Sequence, residues 1–276
     1  MSSLADEAPG PAAAPAAPAP APRSRRLWGV LQGIALTVGL VLLVGGFVLT
    51  AVEYRPSFVP TASMSPTIAA GDTVLVHPLG KAAVGRGDIV VFKDPQWGDE
   101  TLVKRVIGVG GDTVVCCDPQ GRITVNGVPV TEPYLADGLL TAQPSGSAGD
   151  AGGSLAGVAQ QQLHQTFNAQ VPAGRLFVLG DNRLGSLDSR VHLDQLAGSI
   201  PVDGVSGRVA ATVWPFGHWR TASRTTAFDA LPGPAAGQPG PLMPLIWAML
   251  AGTAVIVLVS LTTPAAAVVR WARRRR

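Results

Sequence analysis

The segment "TLVKRVIGVGGD", residues 101–112, decides the fold class of this chain. In an extended strand, successive side chains point to opposite faces, so Leu102, Lys104 and Val106 share one face. Arg105 then lies on the other face. The glycines after Val109 match neither the dinucleotide-binding spacing nor the P-loop spacing, so they give no support to a phosphate site. The segment therefore predicts a β-strand over residues 101–109.

Short apolar runs of the same kind recur between Gly, Pro and Asp residues on both sides of this strand. Such runs are typical of strands separated by turns. Further strands are predicted over residues 73–77, 88–93, 113–117, 122–126, 175–180 and 205–214. Asn126-Gly127 between two of these runs indicates a β-hairpin. No long run with the helical period of 3.6 residues appears between residues 53 and 240, so this segment is predicted to be mainly β.

Two charge-free apolar segments flank the β region, residues 27–52 and the stretch around residues 242–261. About 20 helical residues cross the hydrocarbon layer of a bilayer, so both segments are long enough to span it. The first segment exceeds the apolar length of a cleaved signal peptide, and Glu53-Tyr54-Arg55 is no small-residue cleavage site. An uncleaved membrane anchor is therefore favoured over a secretory signal peptide.

The distribution of the arginines predicts the orientation of the chain in the membrane. The net charge of +3 and the charged fraction of 14% say little, but arginines cluster before the first apolar segment and after the second. Basic residues beside apolar spans lie on the cytoplasmic side, and they favour a membrane protein over a nucleic-acid-binding one. Both termini are therefore expected to be cytoplasmic in a multi-pass protein of the cell membrane.

The predicted organisation has five parts. They are a disordered Ala/Pro-rich tail over 1–26, a transmembrane helix over 27–52, an extracytoplasmic β-rich domain over 53–240, a transmembrane helix over 241–269 and a basic tail over 270–276. A flexible surface insertion rich in Gly, Ala, Ser and Gln is expected near residues 137–165.

The only two cysteines, Cys116 and Cys117, are adjacent. No CxxC pair and no metal-ligand spacing is present. No metal or organic cofactor is implied by the sequence. A vicinal disulfide and two thiols that fill strand positions are the alternatives, and we favour the second.

Three segments carry residues suited to chemistry. The first, "VPTASMSPTI" at residues 59–68, places four hydroxyl side chains in one loop. The second holds Lys104 between apolar neighbours, which is unusual because burial disfavours a charged lysine. A lysine that reaches solvent from an edge strand is the alternative interpretation. The third, "GDNRLGSLDSR" at residues 180–190, concentrates carboxylates, arginines and serines in one loop.

Together with "GDTVLV" at residues 71–76, these segments resemble, in order, the signature boxes of type I signal peptidases. Members of this family are membrane-bound proteases that release secreted proteins. The chain departs from the common pattern at Leu184-Gly185, where Asp-Asn is frequent, and at Gly110, where Pro often stands. The resemblance implies an antiparallel β catalytic domain of the signal-peptidase and repressor-autoprotease type between two transmembrane helices. Residues 53–240 would then be the peptidase domain.

The resemblance also implies roles for individual residues. Ser63 would be the nucleophile and Lys104 the general base. Thr61 would contribute to the oxyanion hole, and Ser186 would orient the lysine. The implied supporting ion pairs involve Arg105, Asp181, Asp188 and Arg190.

The implied substrates are secretory preproteins with small residues, typically Ala, at the first and third positions before the cut. The sequence does not assign the residues that form the substrate pockets. Phe58, Met64 and Ile68 are candidate wall residues. The implied partners are these preproteins and the lipid bilayer, without nucleic acid, and the oligomeric state is open.

A serine hydroxyl needs a base, which is most often histidine. The chain has four histidines, and none lies in a recognised triad context; they are His77, His164, His192 and His218. Lysine can replace histidine only when it is neutral, so its pKa must fall from about 10.4 to near 8, which corresponds to about 3 kcal/mol. Burial beside Leu102 and Val106 would lower the pKa in this direction.

Two other functions fit parts of the sequence. A self-cleaving Ser/Lys protein related to repressors would share the β unit, but such proteins are soluble and carry a DNA-binding domain or an interaction arm. Two membrane segments and the lack of a helix-turn-helix pattern argue against it. A non-enzymatic, membrane-anchored β module would need no reactive serine, and labelling by an acylating probe would distinguish it.

Overall fold

The computed structural model describes residues 23–79, 84–135, 166–222, 224–237 and 240–274. The predicted insertion near residues 137–165 lies outside the described residues, as does most of the predicted N-terminal tail. The structure divides into two compact units, one formed by residues 1–46 and 247–276 and the other by residues 47–246. The predicted division into tails, spans and an extracytoplasmic domain stays a prediction.

Two long helices lie near the ends of the chain. Helix α1 runs over Arg23–Glu53 and helix α2 over Leu242–Arg274. Helix α1 therefore begins four residues before the predicted start of the span at residue 27. Within these helices, Leu27–Glu53 and Leu242–Thr262 are long and apolar enough to cross a membrane, with mean hydropathies of 2.5 and 2.4. These two helices agree with the two membrane spans predicted from the sequence.

The two helices approach each other closely in the first unit. A Cβ atom on Gly39 would lie 3.0 Å from the carbonyl oxygen of Gly252, and a Cβ atom on Gly252 would lie 2.5 Å from the carbonyl oxygen of Gly39. Gln32 Nε2 also donates a hydrogen bond of 2.9 Å to Thr262 Oγ1. Small residues that let backbones approach, joined by a polar side-chain contact, are typical of helix pairs in membranes.

The second unit is built on two antiparallel sheets. The larger sheet has eight strands in the order β1-β2-β11-β3-β4-β9-β10, and β12 pairs with β11. Its strands are β1 (Arg55–Phe58), β2 (Thr73–His77), β3 (Ile89–Asp94), β4 (Gly98–Val109), β9 (Arg175–Leu179), β10 (Ile200–Pro201), β11 (Val205–Trp214) and β12 (Arg220–Thr221). The predicted mainly β, antiparallel fold is confirmed.

The smaller sheet has four strands in the order β7-β6-β5-β8. They are β5 (Thr113–Cys116), β6 (Thr124–Val125), β7 (Val128–Pro129) and β8 (Phe167–Gln170). Short 3₁₀ helices occupy Ser189–Val191, Leu196–Gly198, Val202–Gly204 and Phe216–His218.

The predicted strands over residues 73–77 and 205–214 agree residue for residue with β2 and β11. The strand predicted over residues 122–126 is shorter, because β6 covers only Thr124–Val125. The predicted hairpin is confirmed, since β6 pairs with β7 across Asn126-Gly127. Both turn residues have positive φ, 54° and 79°, which a two-residue turn of type I′ requires and which Asn and Gly tolerate.

Cys116 and Cys117 form a disulfide bond. The prediction of two free thiols is wrong, and the predicted strand position holds for Cys116 but not for Cys117. The two sulfurs are joined, and strand β5 ends at Cys116, so Cys117 lies beyond the strand.

Strand β4 lies inside the large sheet. It pairs with β3 on one side, where Lys104 lies opposite Val90, and with β9 on the other. The alternative interpretation, in which Lys104 reaches solvent from an edge strand, is therefore wrong. Leu102 and Val106 pack together in one apolar cluster, and Val103 packs in a different one, which confirms the predicted alternation.

Candidate active site

Ser63 and Lys104 meet in the second unit. Ser63 lies in the loop between β1 and β2, and Lys104 lies on β4. The Lys104 Nζ atom is 2.8 Å from Ser63 Oγ and 3.2 Å from the carbonyl oxygen of Val103. The exposed fractions of the two residues are 2% for Lys104 and 5% for Ser63. The lysine amine is therefore almost entirely withdrawn from water and in direct contact with an alcohol.

Burial lowers the pKa of Lys104 from its ordinary value of 10.5 to about 8. Removal from water is the largest cause, because it disfavours the charged ammonium. The carboxylates of Asp188 and Asp181 act in the opposite direction, and Arg190 lowers the pKa further. A substantial fraction of the amine is therefore neutral in mildly alkaline solution, and a neutral amine can accept a proton.

Thr61 lies two residues before Ser63 in the loop over residues 59–72, which is called the nucleophile loop after the predicted role of Ser63. Its hydroxyl donates a hydrogen bond of 3.3 Å to Ser63 Oγ. This contact places a second hydroxyl donor beside the serine oxygen. The oxyanion would develop on the carbonyl oxygen of the substrate rather than on Oγ, so the oxyanion role of Thr61 stays a prediction.

Ser186 is buried in the loop over residues 180–190, but the structure gives it no hydrogen bond to Lys104. Its exposed fraction is 2%, and within the described part of the chain its Oγ has no hydrogen bond of ordinary geometry. The hydroxyl is nevertheless close enough to Asp188 to contribute to the lowered pKa of that carboxyl. The orienting contact that the resemblance implied is therefore not formed in this structure.

Gly180 lets this loop pack closely against Ser63. A Cβ atom at this position would overlap the Ser186 side chain, and it would lie 2.5 Å from the backbone oxygen of Ser63. The Gly180 amide also donates to Asp188 Oδ2 at 3.0 Å. Only a residue without a side chain allows this close approach of the two loops.

Two buried ion pairs involve the four charged residues that the resemblance implied. Arg105 holds Asp181 through Nε and Nη2, at 2.8 and 2.6 Å. Arg190 holds Asp188 through Nε and Nη2, at 2.8 and 2.9 Å. Thr67, from the nucleophile loop, adds a hydrogen bond of 2.5 Å to Asp181. Each pair therefore fixes one carboxylate that acts on the pKa of Lys104.

A third ion pair was not predicted from the sequence. Arg183 forms two hydrogen bonds with the carboxylate of Glu132, at 3.0 and 2.5 Å, and its Nε donates to the Gly180 carbonyl oxygen at 3.1 Å. The Tyr134 hydroxyl donates to Glu132 at 2.6 Å, and the guanidinium of Arg105 lies 3.9 Å from the centre of the Tyr134 ring. Glu132 and Tyr134 thus link Arg183 to Arg105, which binds Asp181 in the loop over residues 180–190.

Asn182 was also missed. Its backbone amide donates to the Ser63 carbonyl oxygen and its side-chain amide to the Ala62 carbonyl oxygen, both at 3.1 Å. These bonds fasten the loop over residues 180–190 to the nucleophile loop. The only sequence signal was its place in the polar loop, which gave no reason to choose it over its neighbours.

The candidate pocket residues differ in exposure. Phe58 is 63% exposed, whereas Met64 and Ile68 pack into the core beneath the nucleophile loop. Met64 therefore presents no surface to a substrate in this structure.

The described histidines do not contact Ser63. His218 pairs with Asp72 at 2.7 Å, His77 with Glu53 at 3.4 Å, and His192 stacks on Trp97. His164 lies outside the described residues. No described histidine is therefore in a position to act as the base of a triad with this serine.

A buried alcohol in contact with an amine of lowered pKa, beside a second hydroxyl donor, is an arrangement suited to serine hydrolases. The model of the family "Signal peptidase, peptidase S26" matches residues 30–214 of the chain. Signal peptidase I of Mycobacterium tuberculosis (strain ATCC 25618 / H37Rv) is 33% identical over 226 residues, covering 66% of this chain and 72% of that protein. Signal peptidase I U of Bacillus subtilis (strain 168) is 34% identical over 178 residues, covering 64% and 84%.

A crystal structure of a signal peptidase I from Enterococcus faecalis V583 matches 46% of this chain and 96% of its own, with 30% identity and a TM-score of 0.31. The extent of the family match places the chain in the signal peptidase family, peptidase S26. It is a serine endopeptidase of the signal peptidase I type.

Proposed function

We propose that this chain removes N-terminal signal peptides from secretory preproteins at the membrane, with Ser63 as nucleophile and neutral Lys104 as general base. The observation that supports this most strongly is the 2.8 Å contact between Nζ and Oγ in a buried site. Within the described part of the chain, Lys104 forms no salt bridge, so no carboxylate is in direct contact to hold the amine in its charged form.

In the proposed reaction, Ser63 Oγ attacks the carbonyl carbon of the scissile bond while Lys104 Nζ takes the hydroxyl proton. The Thr61 hydroxyl and the Ser63 amide stabilise the oxyanion of the tetrahedral intermediate. The lysine then gives its proton to the leaving amide nitrogen, which departs as the new N-terminus of the mature protein. Water, deprotonated by Lys104, hydrolyses the acyl ester and restores the hydroxyl of Ser63.

We expect cleavage after small residues, typically Ala at the first and third positions before the cut. The support is the resemblance of the four boxes and the signal peptidase relatives. Shallow pockets would exclude larger side chains by steric overlap.

The proposed topology places α1 and α2 across the cell membrane. Arginines lie before the first apolar span and after the second, so both termini would face the cytoplasm. The β-rich domain between the spans would be extracytoplasmic, where signal peptides emerge. The substrate would thus reach Ser63 on the extracytoplasmic side of the membrane.

The test is cleavage of a precursor with Ala at both small-residue positions by the purified full chain in detergent. Ser63→Ala and Lys104→Ala are each expected to lower kcat/KM by about 10⁶-fold, as removal of the nucleophile or of the base does in other serine proteases. Ser65→Ala, in the same loop, and Lys93→Ala, an exposed lysine on β3, are the matched controls and should retain activity. Substantial cleavage by either dyad variant would contradict the proposal.

Two further measurements separate the alternatives. A penem that labels Ser63 in the wild type but not in Lys104→Ala would exclude a non-enzymatic module. Incubation of the protein alone, with a self-cleavage fragment as the sole product, would instead favour a self-processing protein.

A further inference from the structure

A cleft of about 450 Å³ is lined by residues close in sequence to Ser63 and Lys104, but by neither of these two residues. It is lined by Pro66 and Thr67, which follow Ser63 by three and four residues, and by Arg105, the neighbour of Lys104 on β4. Since an extended chain covers at most about 3.6 Å per residue, Thr67 lies within about 14 Å of the nucleophile. An extended substrate segment of about four residues is therefore long enough to connect Ser63 with this cleft.

The lining of the cleft combines an apolar floor with positive charge. Ile68, Ile89 and Val209 form the floor, and all three are core residues. The charged residues in the lining are Arg105, Arg220 and Arg224, and no carboxylate lines the cleft among the described residues. The cleft therefore favours an anionic ligand over a cationic one.

Of the three arginines that line the cleft, Arg220 has the charge that is least compensated by a carboxylate. Arg105 is bound to Asp181, and Arg224 is paired with Asp229. Arg220 is exposed and donates to the carbonyl oxygen of Pro66 at 3.3 Å, and it forms no salt bridge with any described carboxylate. Its guanidinium thus lies at the side of the cleft next to the nucleophile loop and can pair with an acidic group there.

The cleft also offers a strand edge. Both residues of β12, Arg220 and Thr221, line it, and β12 pairs only with β11 among the described strands. An unpaired strand edge beside side-chain subsites is a common binding mode for an extended peptide. An extended peptide therefore fits the cleft better than a compact ligand.

We propose that this cleft binds the preprotein segment that follows the cut, at about the third to fifth residues of the mature protein, and favours acidic side chains there. The inference rests on the proposed function. Before the cut, the expected requirement is for small residues, typically Ala, at the first and third positions, and these offer no anionic group to a positively charged subsite. The segment after the cut is the remaining part of the substrate within reach.

The experiment uses three precursors that are identical through the cut and carry Asp-Asp, Asn-Asn or Lys-Lys at mature positions four and five. The wild type in neutral detergent should cleave the Asp precursor about two- to five-fold better in kcat/KM than the Asn precursor, the range expected for an exposed ion pair, and the Lys precursor correspondingly worse. Arg220→Glu should reverse this order, and Arg220→Ala should abolish it. Lys93→Glu, an exposed charge reversal outside the cleft, should leave it unchanged.

Normalisation to the Asn precursor separates charge preference from any general loss of activity in the Arg220 variants. Equal cleavage of all three precursors by the wild type, or an order unaltered by Arg220→Glu, would overturn the subsite and leave the proposed function standing. Cleavage of none of them would contradict the proposed function itself. An effect of Arg220 that appeared only with phosphatidylglycerol vesicles would make the cleft a lipid headgroup site and overturn the proposal.

Discussion

Replacing Lys104 by methionine is expected to stabilise the protein while abolishing its activity. Burial lowers the lysine pKa from 10.5 to about 8, so the folded protein releases its proton more readily than the unfolded chain. At pH 7 the difference corresponds to about 3 kcal/mol of stability lost by the wild type, at about 1.4 kcal/mol per pKa unit. Methionine has a similar length and no charge to desolvate, so the variant avoids this cost.

The direction of the pKa shift of Lys104 determines the pH range over which the stability of the wild type changes. Between pH 8 and 10.5 the unfolded chain binds more protons at this site than the folded protein, so wild-type stability rises with pH. The advantage of Lys104→Met should therefore be about 3 kcal/mol at pH 7 and should shrink towards pH 10.5. Its loss of activity should be complete at every pH.

The assay is equilibrium unfolding by urea of the full chain in detergent, at pH 7 and at pH 10, with tryptophan fluorescence as the signal. Lys93→Met, a substitution of an exposed lysine, is the matched control and should change the free energy of unfolding by less than about 0.5 kcal/mol. A Lys104→Met variant that is less stable than the wild type at pH 7 would refute the reasoning. A stability gain of the same size at pH 7 and pH 10 would refute it as well.

Two further substitutions probe the surroundings of the dyad. Gly180→Ala should lower kcat/KM by at least about 100-fold, because its methyl group would push against the Ser63 backbone, and activity equal to wild type in the cleavage assay would contradict this. Glu132→Gln removes the charge that balances buried Arg183 and should cost about 3–5 kcal/mol in urea unfolding. Glu53→Gln, which affects a half-exposed pair, should cost at most about 1 kcal/mol. Equal losses of unfolding free energy in Glu132→Gln and Glu53→Gln would contradict the larger contribution of the buried pair.

The strands could be predicted because each carries a local signal. Apolar runs between turn residues located β2 and β11 to the residue, and Asn126-Gly127 located the hairpin. The position of β4 inside the sheet could not be predicted, since strand order depends on pairing between segments far apart in the chain. That pairing is also what buries Lys104.

The candidate site was predictable only where residues fall within recognisable boxes. The motifs placed Ser63 and Lys104 in one site, and the structure brings their side chains into contact. Glu132 and Tyr134 lie outside the boxes, and their link to Arg183 appears only in three dimensions. No spacing or periodicity relates residues 51 positions apart.

The pH dependence of kcat/KM for precursor cleavage tests the neutral-lysine base most directly. Because kcat/KM reports the free enzyme, the rate should rise about ten-fold per pH unit below the pKa of Lys104 and level off above it, with a midpoint near 8. A precursor without titratable groups near the cut keeps the profile specific to the enzyme. A midpoint near 10.5, the value of a solvated lysine, or a rate independent of pH between 6 and 9 would contradict the account.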